Sequence, residues 1–204
     1  MALSINGSQG QNGVLRRSCY HHSMKLTFNH REQFVKTLYR HPGKVLGFQI
    51  DQIRLPNKQL AQREYLTHPG AVGALAFAAP NKIVLVKQYR HPVRQFTYEI
   101  PAGKLGKNEN PLACMKRELS EETGYTAGRL RKLTSFWPTG AFSDEVIHLY
   151  VADQLRLAEA HPDEDEFLEV VIVSPAQMDR MIQTGKIHDS KTLIAYLAWK
   201  SKVL

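Results

Sequence analysis

Glu118, Glu121 and Glu122 lie within five residues of one another, and Arg117 stands beside them. Carboxylates crowded this closely repel one another unless a cation or an arginine offsets the charge. Arg117 is the nearest arginine. A bound Mg²⁺ is the candidate cation, because it takes oxygen ligands and shares them with water and substrate phosphates. The chemistry these residues could do is therefore metal-assisted handling of phosphates. The competing reading is an acidic helix face that meets only solvent.

The carboxylates need an element to hold them, and the flanking residues supply one. Asn110 is a good N-cap, Pro111 suits the first helical position, and Gly124 suits a left-handed C-cap. These signals predict a helix over 111–123. Leu112, Met115 and Leu119 recur at three and four residues and form its expected core stripe. Glu118 and Glu122 fall one turn apart on a neighbouring face, with Glu121 beside them.

The full stretch reads GKLGKNENPLACMKRELSEETGY. Gly103, Glu109, Arg117, Glu118, Leu119, Glu121, Glu122, Gly124 and Tyr125 meet the pattern G-x5-E-x7-R-E-U-x-E-E-x-G-U, where U is a bulky apolar residue. The chain thus resembles the Nudix hydrolases, which cleave a nucleoside diphosphate linked to another group and use divalent metal. Around the pattern, Glu99-Ile100-Pro101-Ala102-Gly103 resembles the ADP-ribose pyrophosphatase branch. So does the segment from Thr134 to Glu145, which is similar to that branch's S-P-G-F-x-D-E loop; with Phe142, Asp144 and Glu145 aligned, Gly140 takes the proline position and Pro138 lies two residues earlier.

The resemblance implies an α+β chain with a Nudix α/β/α sandwich around a mixed sheet. It implies Mg²⁺-dependent (or Mn²⁺-dependent) hydrolysis of ADP-ribose or a related ADP-sugar to AMP and a sugar phosphate. Glu118 and Glu122 would be the main metal ligands, supported by Glu121 and the Ala102 carbonyl. The acidic run from Asp163 to Glu169 reads by itself as an exposed loop; by resemblance Glu164 or Glu166 serves as base or further ligand. Arg90 would contact the diphosphate and Arg63 the nucleobase across a dimer, both suited by the planar guanidinium. Glu99 would either touch the substrate or brace its loop. The alternatives within the family are GDP-mannose, other nucleotide sugars or dinucleoside polyphosphates as substrate, or a non-catalytic ADP-ribose sensor.

The remaining sequence bounds these readings. At 204 residues with 43% hydrophobic content, the chain can build one cored domain, alone or with an N-terminal addition. Residues 1–24 read as a flexible extension, 25–70 as a strand region for dimerisation and substrate contact, and 71–204 as the hydrolase domain. Residues 1–24 lack an apolar stretch of signal-peptide type, and Met24 is a possible alternative start. No apolar run is long enough to span a membrane. The two cysteines, Cys19 and Cys114, fit neither a disulfide framework nor a zinc pattern, which suits a reducing cytoplasm.

The formal charge of +8 invites a nucleic-acid partner, but the basic residues are spread along the chain. The expected partners are a nucleotide-sugar substrate and a second copy, not nucleic acid or membrane. Strands are expected over 44–55, 71–78, 82–90, 95–100, 130–136, 145–152 and 168–173. Two helices should follow, one from Ser174-Pro175 to near Gly185 and one over 190–200 with Leu193, Ile194, Leu197 and Ala198 inward.

Overall fold

The structure is a computed structural model that describes residues 30–158 and 167–202. A small antiparallel sheet comes first, with β1 (Gln33–Pro42), β2 (Gly47–Arg54) and β3 (Leu60–Thr67) side by side. The main sheet runs in the order β10 (Glu169–Val173), β5 (Lys82–Arg90), β4 (Ala71–Ala79), β9 (Ile147–Leu157), β8 (Tyr125–Phe136). β6 (Gln95–Glu99) adds to β5, and the short β7 (Ala102–Lys104) adds to β4. The β4–β9 pair is parallel and the other pairs are antiparallel, so the sheet is mixed as expected.

Alternation along the central strands builds a core on each face of that sheet. Val72, Ala74 and Ala76 of β4 turn towards α1 (Pro111–Thr123), where Cys114, Met115 and Leu119 meet them. Leu75 of β4, with Ile83 and Leu85 of β5, turns the other way. There it meets Met178 of α2 (Pro175–Gln183) and Tyr196 of α3 (Ser190–Ser201). A sheet covered by helices on both faces is the sandwich that the strand and helix pattern predicted.

α1 has the bounds read from its caps. Asn110 Oδ1 accepts the Leu112 and Ala113 amides, and Gly124 closes the helix at φ 68°, a left-handed conformation that glycine adopts with no Cβ penalty. Two inward assignments need correction. Leu112 is 39% exposed, because the buried arc of α1 centres on Met115 and Glu122 and leaves Leu112 at its margin in the first turn. Leu197 is 53% exposed, because α3 buries Thr192, Ala195 and Tyr196 and Leu197 points away from that stripe.

The two sheets meet at the site end of the molecule. Leu66 of β3 donates its amide to the Phe142 carbonyl and accepts from the Asp144 amide, which docks the loop before β9 onto the small sheet. β1 forms the outer edge of that sheet and is exposed along its whole length, including Phe34, Val35, Leu38 and Tyr39.

Candidate active site

α1 carries the carboxylates, and β7 brings a backbone against them. The Ala102 amide donates to Glu122 Oε2 at 2.9 Å, and Glu122 is buried. A buried carboxylate needs such donors to offset its lost hydration. The next residue, Gly103, lies so close to the Glu118 carboxylate that a Cβ there would sit 1.8 Å from its carboxyl carbon. The glycine of the sequence pattern is thus the gap that lets Glu118 close on the backbone.

Arg117 supplies the offset for the crowded charge. Its guanidinium bonds Glu109 at 3.2 Å through Nε and again through Nη2, and Nη1 lies 2.8 Å from Glu121 and 2.9 Å from Glu118. The Gly106 amide also donates to Glu109. Arg117 and that amide together hold the Glu109 carboxyl at about 2, well below its usual range. The Glu109 hydrogen bond in turn raises the Arg117 pKa further above its ordinary value. Glu109, Arg117, Glu118, Glu121, Glu122 and Ala102 are therefore one assembly.

This donor set fits a hard divalent ion. It offers carboxylate oxygens and lies beside the Ala102 backbone, with a glycine clearing the approach. Among the described residues no three carboxylate, imidazole or thiolate side chains already converge as a ligand shell. Arg117 instead shares Glu118 and Glu121. Glu164 and Glu166 lie outside the described residues.

Ala102 also lines a cavity of about 1270 Å³, walled by β6, the turn before β2, the loop before β9 and the start of α3. Arg90 and Glu99 face each other across its floor in a bidentate pair of 2.8 and 2.7 Å. Lys191 and Thr97 also donate to Glu99. Burial pushes the Glu99 carboxyl up, but Arg90, Lys191 and Thr97 outweigh it and hold the pKa at about 2. Arg90 remains 44% exposed, while the Glu99 side chain is almost wholly buried.

Arg63 does not line this cavity; it pairs with Glu32 beside β3. Sequence reasoning passed over Lys191 and His68; Glu145 it named only as part of the loop that resembles S-P-G-F-x-D-E. The His68 Nδ1 accepts the Gly70 amide at 3.0 Å and sits 3.7 Å from Glu145, and both residues line the cavity. No local signal marks Lys191 or His68 as site residues, because the carboxylates that tie them to the cavity, Glu99 and Glu145, lie far along the chain.

A family model described as NUDIX domain matches residues 67–196. A "Methanol dehydrogenase activator" of Bacillus methanolicus is 45% identical over 166 residues, covering 80% of this chain and 90% of the relative. An "ADP-ribose pyrophosphatase" of Bacillus subtilis is 42% identical over 155 residues, covering 75% of this chain and 84% of the relative. Among solved structures, one described as an ADP compounds hydrolase superposes with a TM-score of 0.75 at 16% identity, covering 85% of this chain and 94% of that one. That last likeness concerns the fold.

Two outcomes follow from the geometry. In Gly103→Ala the new methyl group must displace the Glu118 carboxylate, which is the flexible end of a side chain. The fold should survive with an unchanged melting temperature, and metal affinity should fall by about 10–100-fold, as for other disturbed ligand supports; isothermal titration with Mn²⁺ checks this. The second concerns pH. Glu99 has its folded pKa at about 2, below the ordinary 4.5, so its contribution is present above pH 4.5 and fades as pH falls towards 2. Urea unfolding of Glu99→Gln should therefore show a loss on the order of 3 kcal/mol at pH 7, shrinking below pH 4.5. An equal loss at pH 7 and pH 3 would contradict the assignment.

Proposed function

The chain belongs to the Nudix hydrolase family, and from that premise we propose that it hydrolyses the diphosphate of ADP-ribose or a related ADP-sugar, giving AMP and a sugar phosphate. One observation carries the reading: Ala102 donates to the buried Glu122 and also lines the large cavity, so a substrate in that cavity would reach the carboxylates. The pyrophosphatase relative at 42% identity supplies the substrate class.

In this proposal Glu118 and Glu122 hold Mg²⁺ or Mn²⁺, with Glu121 and the Ala102 carbonyl in support. The bound ions would neutralise the diphosphate and acidify a water molecule. Arg117 keeps the carboxylates assembled, since it already offsets Glu109, Glu118 and Glu121. Arg90 keeps part of its guanidinium exposed towards the cavity while Glu99 fixes its direction, which suits a contact to the diphosphate. Glu99 thus acts as the brace, and Arg90 as the contact. Glu164 or Glu166 is proposed to position and deprotonate the attacking water, a role that requires hydrogen-bond reach in the complex.

The assembly is proposed to be a homodimer through the strand region of residues 25–70. The fully exposed edge of β1 with its Phe34, Leu38 and Tyr39 supports this, because an open apolar edge invites pairing with a second copy. In such a dimer Arg63 would reach the partner's nucleobase. A cytoplasmic location accords with the free thiol of Cys114. Among the described residues no helix is long and apolar enough to cross a membrane.

A panel of ADP-ribose, ADP-glucose, GDP-mannose, NADH and diadenosine polyphosphates tests the substrate class, with Mg²⁺ and coupled phosphate release as the readout. ADP-ribose should be turned over fastest, and Glu122→Gln should lose orders of magnitude in rate while keeping its fold. Faster turnover of GDP-mannose would move the assignment within the family, and a fully active Glu122→Gln would sink the metal site. Light scattering at micromolar concentration should give twice the chain mass; a monomer would overturn the dimer.

A further inference from the structure

The start of α3 is fastened to the loop that enters the carboxylate site, although they lie about ninety residues apart in sequence. The Ile100 amide donates to Thr192 Oγ1 at 2.9 Å, and Thr192 is completely buried. The Thr192 hydroxyl donates in turn to Asp189, which also accepts the Thr192 amide as the N-cap of α3. The neighbouring Lys191 reaches Asp189 at 2.9 Å and also bonds Glu99, the residue before Ile100. Thus one turn of α3 grips residues 99 and 100 by two separate bonds. Two residues further on, the Ala102 amide meets Glu122.

We propose that the first turn of α3, through Thr192 and Lys191, is the positioning element that sets the Ala102 backbone against the carboxylates of α1. The proposal rests on the reading of Glu122 and Ala102 as metal holders. In this proposal both α3 residues act through the loop, Thr192 on the Ile100 amide and Lys191 on Glu99. On its other side the loop is held by β4, where the Ala74 amide donates to Pro101 and Gly73 pairs with Ala102. β4 therefore fixes the loop to the sheet, and α3 fixes how the segment before Pro101 runs into it. The Thr192 hydroxyl suits this task because it accepts and donates at once in a dry site, where an unpaired Ile100 amide would be costly.

The test uses the full chain, three variants in α3 and Glu122→Gln. Thr192→Val keeps the side-chain shape and removes the hydroxyl, Thr192→Ser keeps the hydroxyl, and Lys191→Met cuts the second bond. Amide hydrogen exchange is read at Ile100 and Ala102, and Mn²⁺ binding by electron paramagnetic resonance. In Thr192→Val, exchange should rise at both amides and the Mn²⁺ dissociation constant should rise about tenfold, the size expected for loss of an outer support. Turnover should lose kcat with KM little changed, and Thr192→Ser should restore all three.

A rise confined to Ile100, with Mn²⁺ affinity as in the wild type, overturns the proposal. If Thr192→Val does not fold, Lys191→Met decides: it should raise Ala102 exchange, and an unchanged Ala102 refutes the coupling. Glu122→Gln separates the two readings. Should it bind Mn²⁺ like the wild type, the metal assignment fails, while exchange at Ala102 still decides whether α3 positions the loop.

Discussion

The hydrogen bond from the Ala102 amide to Glu122 is the constraint on which the rest of the site depends. It joins a helix on one face of the sheet to a strand within it. A carboxylate so little exposed keeps its charge only where donors replace water. The bond therefore demands that α1 lie close to β7, and packing of Met115 and Leu119 on Val72, Ala74 and Val84 holds it there. It also demands little bulk at the next residue. Gly103 meets that demand, and Glu118 comes up against the same stretch of backbone. The core packing and the polar site are thus one arrangement: a cavity under α1 would loosen both.

Charge sets the second constraint. Four glutamates stand on or beside α1, and assembling them without a counter-charge would destabilise the helix. Arg117 answers three of them and the Ala102 amide answers the fourth. The guanidinium can do this because its donors are fixed in a plane and spread over several carboxylates at once. A lysine would present one point of charge instead. Glu109 stands outside the group that would hold metal, and its purpose is to anchor Arg117 against the Gly106 turn. The pattern of the sequence motif therefore encodes a scaffold for carboxylates as much as the carboxylates themselves.

How much of this was legible followed from sequence distance. The caps and the Pro111 start gave α1 its bounds, because capping is decided within a few residues. The apolar run of β5 gave that strand its full extent for the same reason. The separate strands β1 and β3 were legible only as a region, since an exposed edge strand carries no strict alternation and β3 mixes charged with apolar residues. β7 has three residues, too few for any period. Leu112 and Leu197 were misplaced because a helix period gives the spacing of a stripe but not which neighbouring stripe meets the sheet. Lys191, Thr192 and His68 gave no signal, since each gains its meaning from a partner that only the fold brings near.

The same division separates chemistry from selectivity. The carboxylates and their arginine come from one short segment, so their chemistry travels with a motif. The cavity is walled by β6, the loop before β9 and the start of α3, so its shape belongs to the whole fold. Its charge is also not what the net +8 suggests. Arg90 and Lys191 both face Glu99, and Lys191 faces Asp189 as well, which makes that part of the floor close to neutral. The overall charge can draw in an anionic substrate from a distance, within the limits that salt sets. Once the substrate is inside, discrimination must rest on matched hydrogen bonds to groups already held in place, and such matching rejects a wrong partner more sharply than bulk charge does.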